Sequence, residues 1–236
     1  MNLDLVNNEL DNLGLDKIKD GDKFSKYKEM LLDWNEKINL TSITESEEVD
    51  IKHFADCIGV FKSNKINSNA KVIDIGTGAG FPGIPMKIYR DDVDMTLLDS
   101  LNKRVKFLDL VINELGLNNI KAIHGRAEEF SRQKAYRESY DICVSRAVAN
   151  LSTLSEYCLP FVKIGGYFIS MKGPDVEEEI KNANRAIETL GGKFVEVLPV
   201  DLDNGEINHT LIVIEKIKET NKKYPRAGGK PRSSPL

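Results

Sequence analysis

Apolar residues recur at helical spacing over the first quarter of the chain and then give way to short apolar runs. "DKFSKYKEMLLDWNEKINL" sets Phe24, Tyr27, Met30 or Leu31, Trp34 and Ile38 three or four residues apart, with charges behind them. "SEEVDIKHFADCIGVF" repeats the pattern: Val49, Phe54, Ile58 and Phe61 share a face, and Ser46 suits an N-cap. Residues 1 to about 65 therefore read as helices, followed by a polar link over 64–69.

After the link the rhythm alternates. "KVIDI", "VDMTLLD", "IKAIHG", "YDICVSRA" and "GGYFISMKG" read as strands. "PGIPMKIYR", "LNKRVKFLDLVINELG", "NLSTLSEYCLPFV" and "PDVEEEIKNANRAIETLG" read as helices among and after them. Pro82 and Pro174 sit at helix starts, and Gly116 marks a stop. Alternation of this kind predicts a parallel sheet covered on both faces. "KFVEVLPV" and "HTLIVIEKI" have only the turn-rich "DLDNGEIN" between them, so they pair antiparallel. The expected architecture is α/β: a Rossmann-like doubly wound sheet, the shape of the class I methyltransferase fold. Its mostly parallel seven-stranded sheet ends in an antiparallel hairpin. Three parts are expected: a helical extension (1–65), a cofactor-binding core (66–217) and a basic tail (218–236).

Composition narrows the picture further. The chain has 236 residues, 41% hydrophobic and 30% charged, which suits one large domain or a domain with an appendage. It holds no run of 18 apolar residues, so no membrane span is expected. The acidic N-terminus lacks the basic and apolar regions of a signal peptide. Cys57, Cys143 and Cys158 are an odd number at unrelated spacings, which fits reduced thiols in a cytoplasmic protein. His53, His124 and His209 show no metal-ligand spacing, and no metal is expected.

The net charge of −4 argues weakly against a nucleic-acid partner, but its distribution reverses the argument. From Ile214 onward seven basic residues face only Glu215 and Glu219, a local +5 against −9 for the rest. A solvated, frayed tail and a phosphate-contacting arm both fit that composition. Lys222, Lys223 and Arg226 are the RNA-contact candidates there. Tyr224 beside them suits either stacking on a base or docking on the domain.

Candidate chemistry centres on "KVIDIGTGAGFPGIP". From Gly78 the spacing matches a dinucleotide loop, yet Asp74 closes the strand just ahead of Gly76. A carboxylate there repels a pyrophosphate and favours a cationic group, such as the ammonium and sulfonium of S-adenosylmethionine. Asp99 ends the second strand, where an acid can accept the ribose hydroxyls of an adenosine. Glu128, after the third strand, is a candidate for the adenine amino group.

The fourth strand reads "VSRAVANL" where methylases of exocyclic amines carry Asn/Asp-Pro-Pro-aromatic. With no neighbouring carboxylate base, the expected nucleophile already owns a lone pair, as guanine N7 does. Proximity and in-line orientation then suffice. Arg146 opens onto the cleft, where its planar fork suits either the cofactor's carboxylate or an RNA phosphate. Lys172, ending the fifth strand, is a weaker candidate for the target guanine. Lys103 and Arg104, opening the helix after Asp99, are further phosphate candidates.

These residues resemble the RsmG/GidB family, bacterial 16S ribosomal RNA (guanine-N7) methyltransferases. "LLDWNEKINLTSIT" with "KHFADC", "VIDIGTGAGFPGIP", "SRAVANL" and "YPRAGGKPRSSPL" carry the likeness in order, over nearly the full length. Asp56-Cys57-Ile58 stands where the family usually has Asp-Ser-Leu, and Phe81 where leucine is common. The resemblance implies methyl transfer from S-adenosylmethionine to N7 of a guanine in 16S rRNA, near the decoding centre. The partner is then that rRNA or the small ribosomal subunit, and a monomer is expected. By position, the cofactor contacts are Gly76, Phe81, Asp99, Ser100, Ala127, Glu128 and Arg146, to which the loop adds Asp74 and Gly78. Ala127 rests on the resemblance alone. A small-molecule methyltransferase, an NAD-dependent oxidoreductase and a non-catalytic RNA-binding module are the competing readings.

Overall fold

The computed structural model describes residues 1–146 and 149–236; Ala147 and Val148 of "SRAVANL" lie outside the described residues. Its strands are β1 (Lys71–Ile75), β2 (Asp94–Asp99), β3 (Ile120–His124), β4 (Tyr140–Arg146), β5 (Val162–Lys172), β6 (Gly192–Leu202) and β7 (Ile207–Lys216). They form one seven-stranded sheet in the order β3-β2-β1-β4-β5-β7-β6. β1 to β5 pair in parallel, while β7 slots antiparallel between β5 and β6. This is the class I methyltransferase topology the alternation predicts. The order reverses at β1 and β4, so their C-terminal ends open a crevice, the usual ligand position in such sheets.

Side chains alternate across the sheet, and each face has its own core. Ile73 and Phe168 face one side, against Leu154 and Ile187 of the helices Leu151–Cys158 and Glu177–Thr189. Val72 and Val144 face the other, against Ile84, Phe107 and Leu108 of the helices Gly83–Tyr89 and Asn102–Glu114. The N-terminal helices join this second face. Phe24, Tyr27 and Leu31 of Asp22–Ile38 are fully buried in it, and Trp34 packs tilted on Phe107 with centroids 5.6 Å apart. The extension is therefore a wall of the main core.

The second N-terminal helix differs from its expected form. Residues 46–63 are helical throughout but open into a π turn over Val49–Ala55, so Lys52, His53 and Asp56 follow a wider winding. Ser46 is not the N-cap; it is the first helical residue, after Glu45. Its Oγ instead accepts from Lys28 Nζ at 2.8 Å, beside the buried Lys28–Asp50 ion pair.

The basic C-terminal segment is not frayed. Tyr224 is 7% exposed and belongs to the core under the Leu151–Cys158 helix. Thr153 Oγ1 donates to the carbonyl of Pro231 at 2.8 Å, and buried Lys216 donates to that of Leu159 at 2.7 Å. Of the two readings of Tyr224, the structure adopts docking.

Candidate active site

The loop after β1 is built around two carboxylates. Asp74 is fully buried; its Oδ2 accepts from Thr77 Oγ1 at 2.7 Å and from the Gly83 amide at 2.9 Å. Its Oδ1 has no partner among the described residues. Burial pushes this carboxyl up to about 7, against the pull of the Thr77 and Gly83 hydrogen bonds. Asp99 Oδ2 accepts from the Gly78 amide at 2.9 Å, and its Oδ1 from the Leu101 amide at 2.8 Å. The loop thus hangs between the ends of β1 and β2.

Two glycines show what the loop needs. Gly78 has φ +63°, a left-handed conformation that favours glycine, and a Cβ there would meet only the Gly76 carbonyl oxygen, at 3.9 Å. At Gly83 a Cβ would come within 2.3 Å of Leu97 Cδ2, so that glycine serves close packing of helix on strand. Gly76 holds the crossing, its amide donating to the Leu98 carbonyl at 2.9 Å.

The third strand brings the adenosine candidates alongside. The Gly125 amide donates to the Asp99 carbonyl at 2.9 Å, which sets the turn after β3 against the end of β2. Ser100 follows Asp99 on the surface, and Ala127 and Glu128 begin the short helix Ala127–Phe130. Glu128 keeps only 11% of its side chain exposed, 3.7 Å from Arg126.

Arg146, at the end of β4, is held on several sides. Nη1 donates to the Lys52 carbonyl at 3.1 Å and to Asp56 Oδ2 at 3.2 Å, and Nη2 donates to His53 Nδ1 at 3.0 Å. Its guanidinium lies 4.8 Å from the Phe81 ring centre, and His53 stacks on that ring at 4.2 Å. Because a guanidinium only donates, His53 Nδ1 is bare and Nε2–H donates to Thr41 Oγ1 at 2.8 Å. Burial, reinforced by Arg146, pushes His53 down to about 3, so the imidazole is neutral. Asp56, 1% exposed, completes the set by accepting from His209 Nδ1 at 2.8 Å on its other oxygen.

Beside this cluster lies a cleft of about 740 Å³, lined by Lys52, His53, Asp56, Arg146, Lys172 and His209 among others. Lys172 reaches it with Nζ donating to the Ala149 carbonyl at 2.6 Å and to Glu179 Oε1 at 2.7 Å. The three-residue step from His53 to Asp56 within "KHFADC" is the sequence signal that could have found this cluster. His53 and His209, which show no metal-ligand spacing in the sequence, are two of its members. His209 carried no signal, because its partner lies 153 residues away.

The RNA candidates separate. Lys103, Lys222 and Lys223 are exposed. Arg104 leans on Asp99 at 3.5 Å. Arg226 is committed elsewhere: Nη2 and Nε bind the fully buried Glu156 carboxylate at 2.7 and 3.0 Å. It is a structural latch and not a free phosphate contact.

Residues 20–207 match the family described as "GidB: rRNA small subunit methyltransferase G". The chain belongs to this family. Curated relatives agree: a ribosomal RNA small subunit methyltransferase G of Clostridium botulinum (strain 657 / Type Ba4) is 54% identical, covering 91% of this chain and 90% of that protein. One of Clostridium novyi (strain NT) is 51% identical, covering 99% and 96%. Among solved structures, a SAM-dependent methyltransferase from Aquifex aeolicus superposes with TM-score 0.54 at 17% identity, over 73% of this chain and 94% of that one. The [4+2]-cyclase SpnF reaches the same TM-score at 13% identity, over 69% and 81%. Fold likeness alone therefore does not choose a reaction.

Proposed function

We propose that the protein transfers a methyl group from S-adenosylmethionine to N7 of a guanine in 16S ribosomal RNA, near the decoding centre. The observation that carries this reading is the end of β4. Arg146 stands there, and the nearest carboxylate, Asp56, has both oxygens engaged by Arg146 and His209. A site without an available carboxylate base suits a nucleophile that needs no deprotonation, and guanine N7 is one. The family description and the relatives' names, which specify small-subunit rRNA, support the substrate.

The loop residues fit S-adenosylmethionine. Asp99 is placed for the ribose hydroxyls, with its Gly78 and Arg104 contacts as the groups to yield or share. Gly76 and Gly78 give the cofactor a close backbone approach, and Ser100, Ala127 and Glu128 line the adenine side. Asp74 acts from beneath the loop: its buried charge attracts the cofactor's positive end through the backbone it braces. The bound cofactor supplies an electrophilic methyl group on a sulfonium.

The remaining residues handle orientation and charge. A guanidinium beside a sulfonium is costly, and Asp56 offsets that repulsion by neutralising Arg146. Phe81, packed against the hydrogen-bonded His53 and Arg146, supplies an apolar wall next to the methionine end. The cleft of about 740 Å³ admits the target base, with Arg146 and Lys172 at its rim. Lys103, Lys222 and Lys223 contact RNA phosphates. The protein works as a monomer in the cytoplasm, where ribosomes are made; no helix among the described residues is long and apolar enough to cross a membrane.

The test is incubation with labelled S-adenosylmethionine and small ribosomal subunits lacking the modification. Labelled 7-methylguanosine in the 16S digest is the expected product. Its absence, with cofactor binding intact, overturns the substrate assignment.

A further inference from the structure

His209 projects from β7 into the cleft with its ring fixed at one end. Asp56 Oδ1 accepts from Nδ1 at 2.8 Å, and Asp56 Oδ2 accepts from Arg146. A carboxylate paired with a guanidinium only accepts, so the ring proton of neutral His209 sits on Nδ1 and Nε2 is bare. Among the described residues Nε2 makes no hydrogen bond. The cations sharing the cleft are already engaged: Arg146 with Asp56 and His53, Lys172 with Glu179, Lys52 with Glu48. His209 is about one-third exposed, so the acceptor it offers is reachable.

We propose that His209, oriented by Asp56, selects guanine by accepting the N1–H of the target base through Nε2. The inference rests on the guanine-N7 reading above. Adenine presents a bare ring nitrogen at that position, which would set acceptor against acceptor. The contact also strengthens during reaction. The N7 lone pair forms the new bond to the methyl carbon while the carbon–sulfur pair leaves with sulfur. The positive charge moves from the sulfonium to the purine, and no proton is lost. A purine gaining positive charge holds its N1 proton less tightly, so the bond to Nε2 is stronger in the transition state than in the ground state. Asp56 is the positioning residue that keeps the imidazole in the accepting tautomer.

Protonation of His209 turns Nε2 into a donor and removes the contact. The charged and titratable groups facing His209 are Asp56, His53 and Lys52 from helix 46–63, Arg146 from β4, Lys172 from β5 and Glu206 ahead of β7. The hydrogen bond to Asp56 raises His209 above the ordinary histidine value of 6.5. Activity on rRNA therefore declines as pH falls through this raised His209 value.

The experiment compares wild type, His209→Ala and His209→Gln on unmodified small subunits from pH 5.5 to 8.5, with calorimetric S-adenosylmethionine binding and thermal unfolding as parallel readouts. His209→Ala is expected to lose about ten- to thirtyfold in kcat, the scale of one strengthened hydrogen bond, with cofactor affinity within about twofold. His209→Gln keeps an uncharged acceptor and is expected to recover much of the rate at neutral pH without the His209 acid limb. Unchanged kcat in His209→Ala, or an identical acid limb in all three proteins, overturns the proposal. A loss that follows cofactor affinity or unfolding also overturns it. If wild type itself yields no 7-methylguanosine, the guanine-N7 reading is what fails.

Discussion

The Tyr27 hydroxyl donates to the Ala79 carbonyl at 2.6 Å, deep beneath the glycine loop. Tyr27 is fully buried and packs on Phe54 and Phe81, so the helix Asp22–Ile38 holds the loop from behind. Tyr27→Phe keeps the ring and removes only the donor, leaving a buried carbonyl unpaired. The expected cost is about 1–3 kcal/mol of stability. Cofactor affinity should fall with it, because the loop's preferred shape is no longer fixed. Chemical denaturation and calorimetry with S-adenosylmethionine read the two effects separately.

Asp74 makes the same loop pH-sensitive. Its folded pKa of about 7 lies above the ordinary carboxyl value of 3.8. The folded state therefore binds the proton more tightly than the unfolded state. That contribution to stability is complete below about pH 4 and is lost as pH rises toward 7. Asp74→Asn keeps an oxygen for Thr77 and Gly83 and replaces the charge with a neutral amide. At pH 8 the cofactor-free variant should unfold higher than wild type, by roughly 2–4 °C. It should also bind S-adenosylmethionine more weakly, and the gap should widen from pH 6 to 8 as wild type ionises. Undisturbed cofactor affinity at pH 8 would refute the electrostatic account of this carboxylate.

Arg146 couples the cofactor side to the cleft, and its geometry is not transferable to lysine. Lys52 O, Asp56 and His53 take three different guanidinium hydrogens. A lysine ammonium keeps the charge but not the planar fork. Arg146→Lys should lower kcat by about tenfold to a hundredfold, and Arg146→Ala by more, since it leaves Asp56 buried beside only His209. Steady-state methylation with unmodified small subunits measures both. A lysine variant with wild-type kcat would reduce Arg146 to a bare charge.

The strands, the helix faces and the loop were legible because each depends on local periodicity or on glycines a few residues apart. Asp74, Gly76, Gly78 and Asp99 could be placed together because β1 and β2 are consecutive and parallel. The Asp56–His209 pair was not legible, because the late insertion of β7 beside β5 brings helix 46–63 and the end of the chain into contact. Ser46 was misplaced as a cap because the pull of Lys28, 18 residues earlier, leaves no trace in local spacing. The tail misled for a related reason: its basic composition is visible, but buried Glu156 lies 70 residues away.

That last pair separates two kinds of basic residue in the C-terminal segment. Arg226 binds a carboxylate with no solvent exposure, so Arg226→Ala strands a buried charge and should destabilise the fold by about 3–5 kcal/mol. Lys222 and Lys223 are exposed and free of carboxylate partners among the described residues. Replacing both with Gln should leave the unfolding midpoint within about 1 °C, since exposed substitutions rarely move stability. It should weaken RNA binding and reduce the slope of log affinity against log salt by roughly one to two. Binding titrations at several salt concentrations, run beside thermal melts, decide the matter. An unchanged salt slope in the double variant would remove these lysines from the RNA interface and leave the segment a purely structural one.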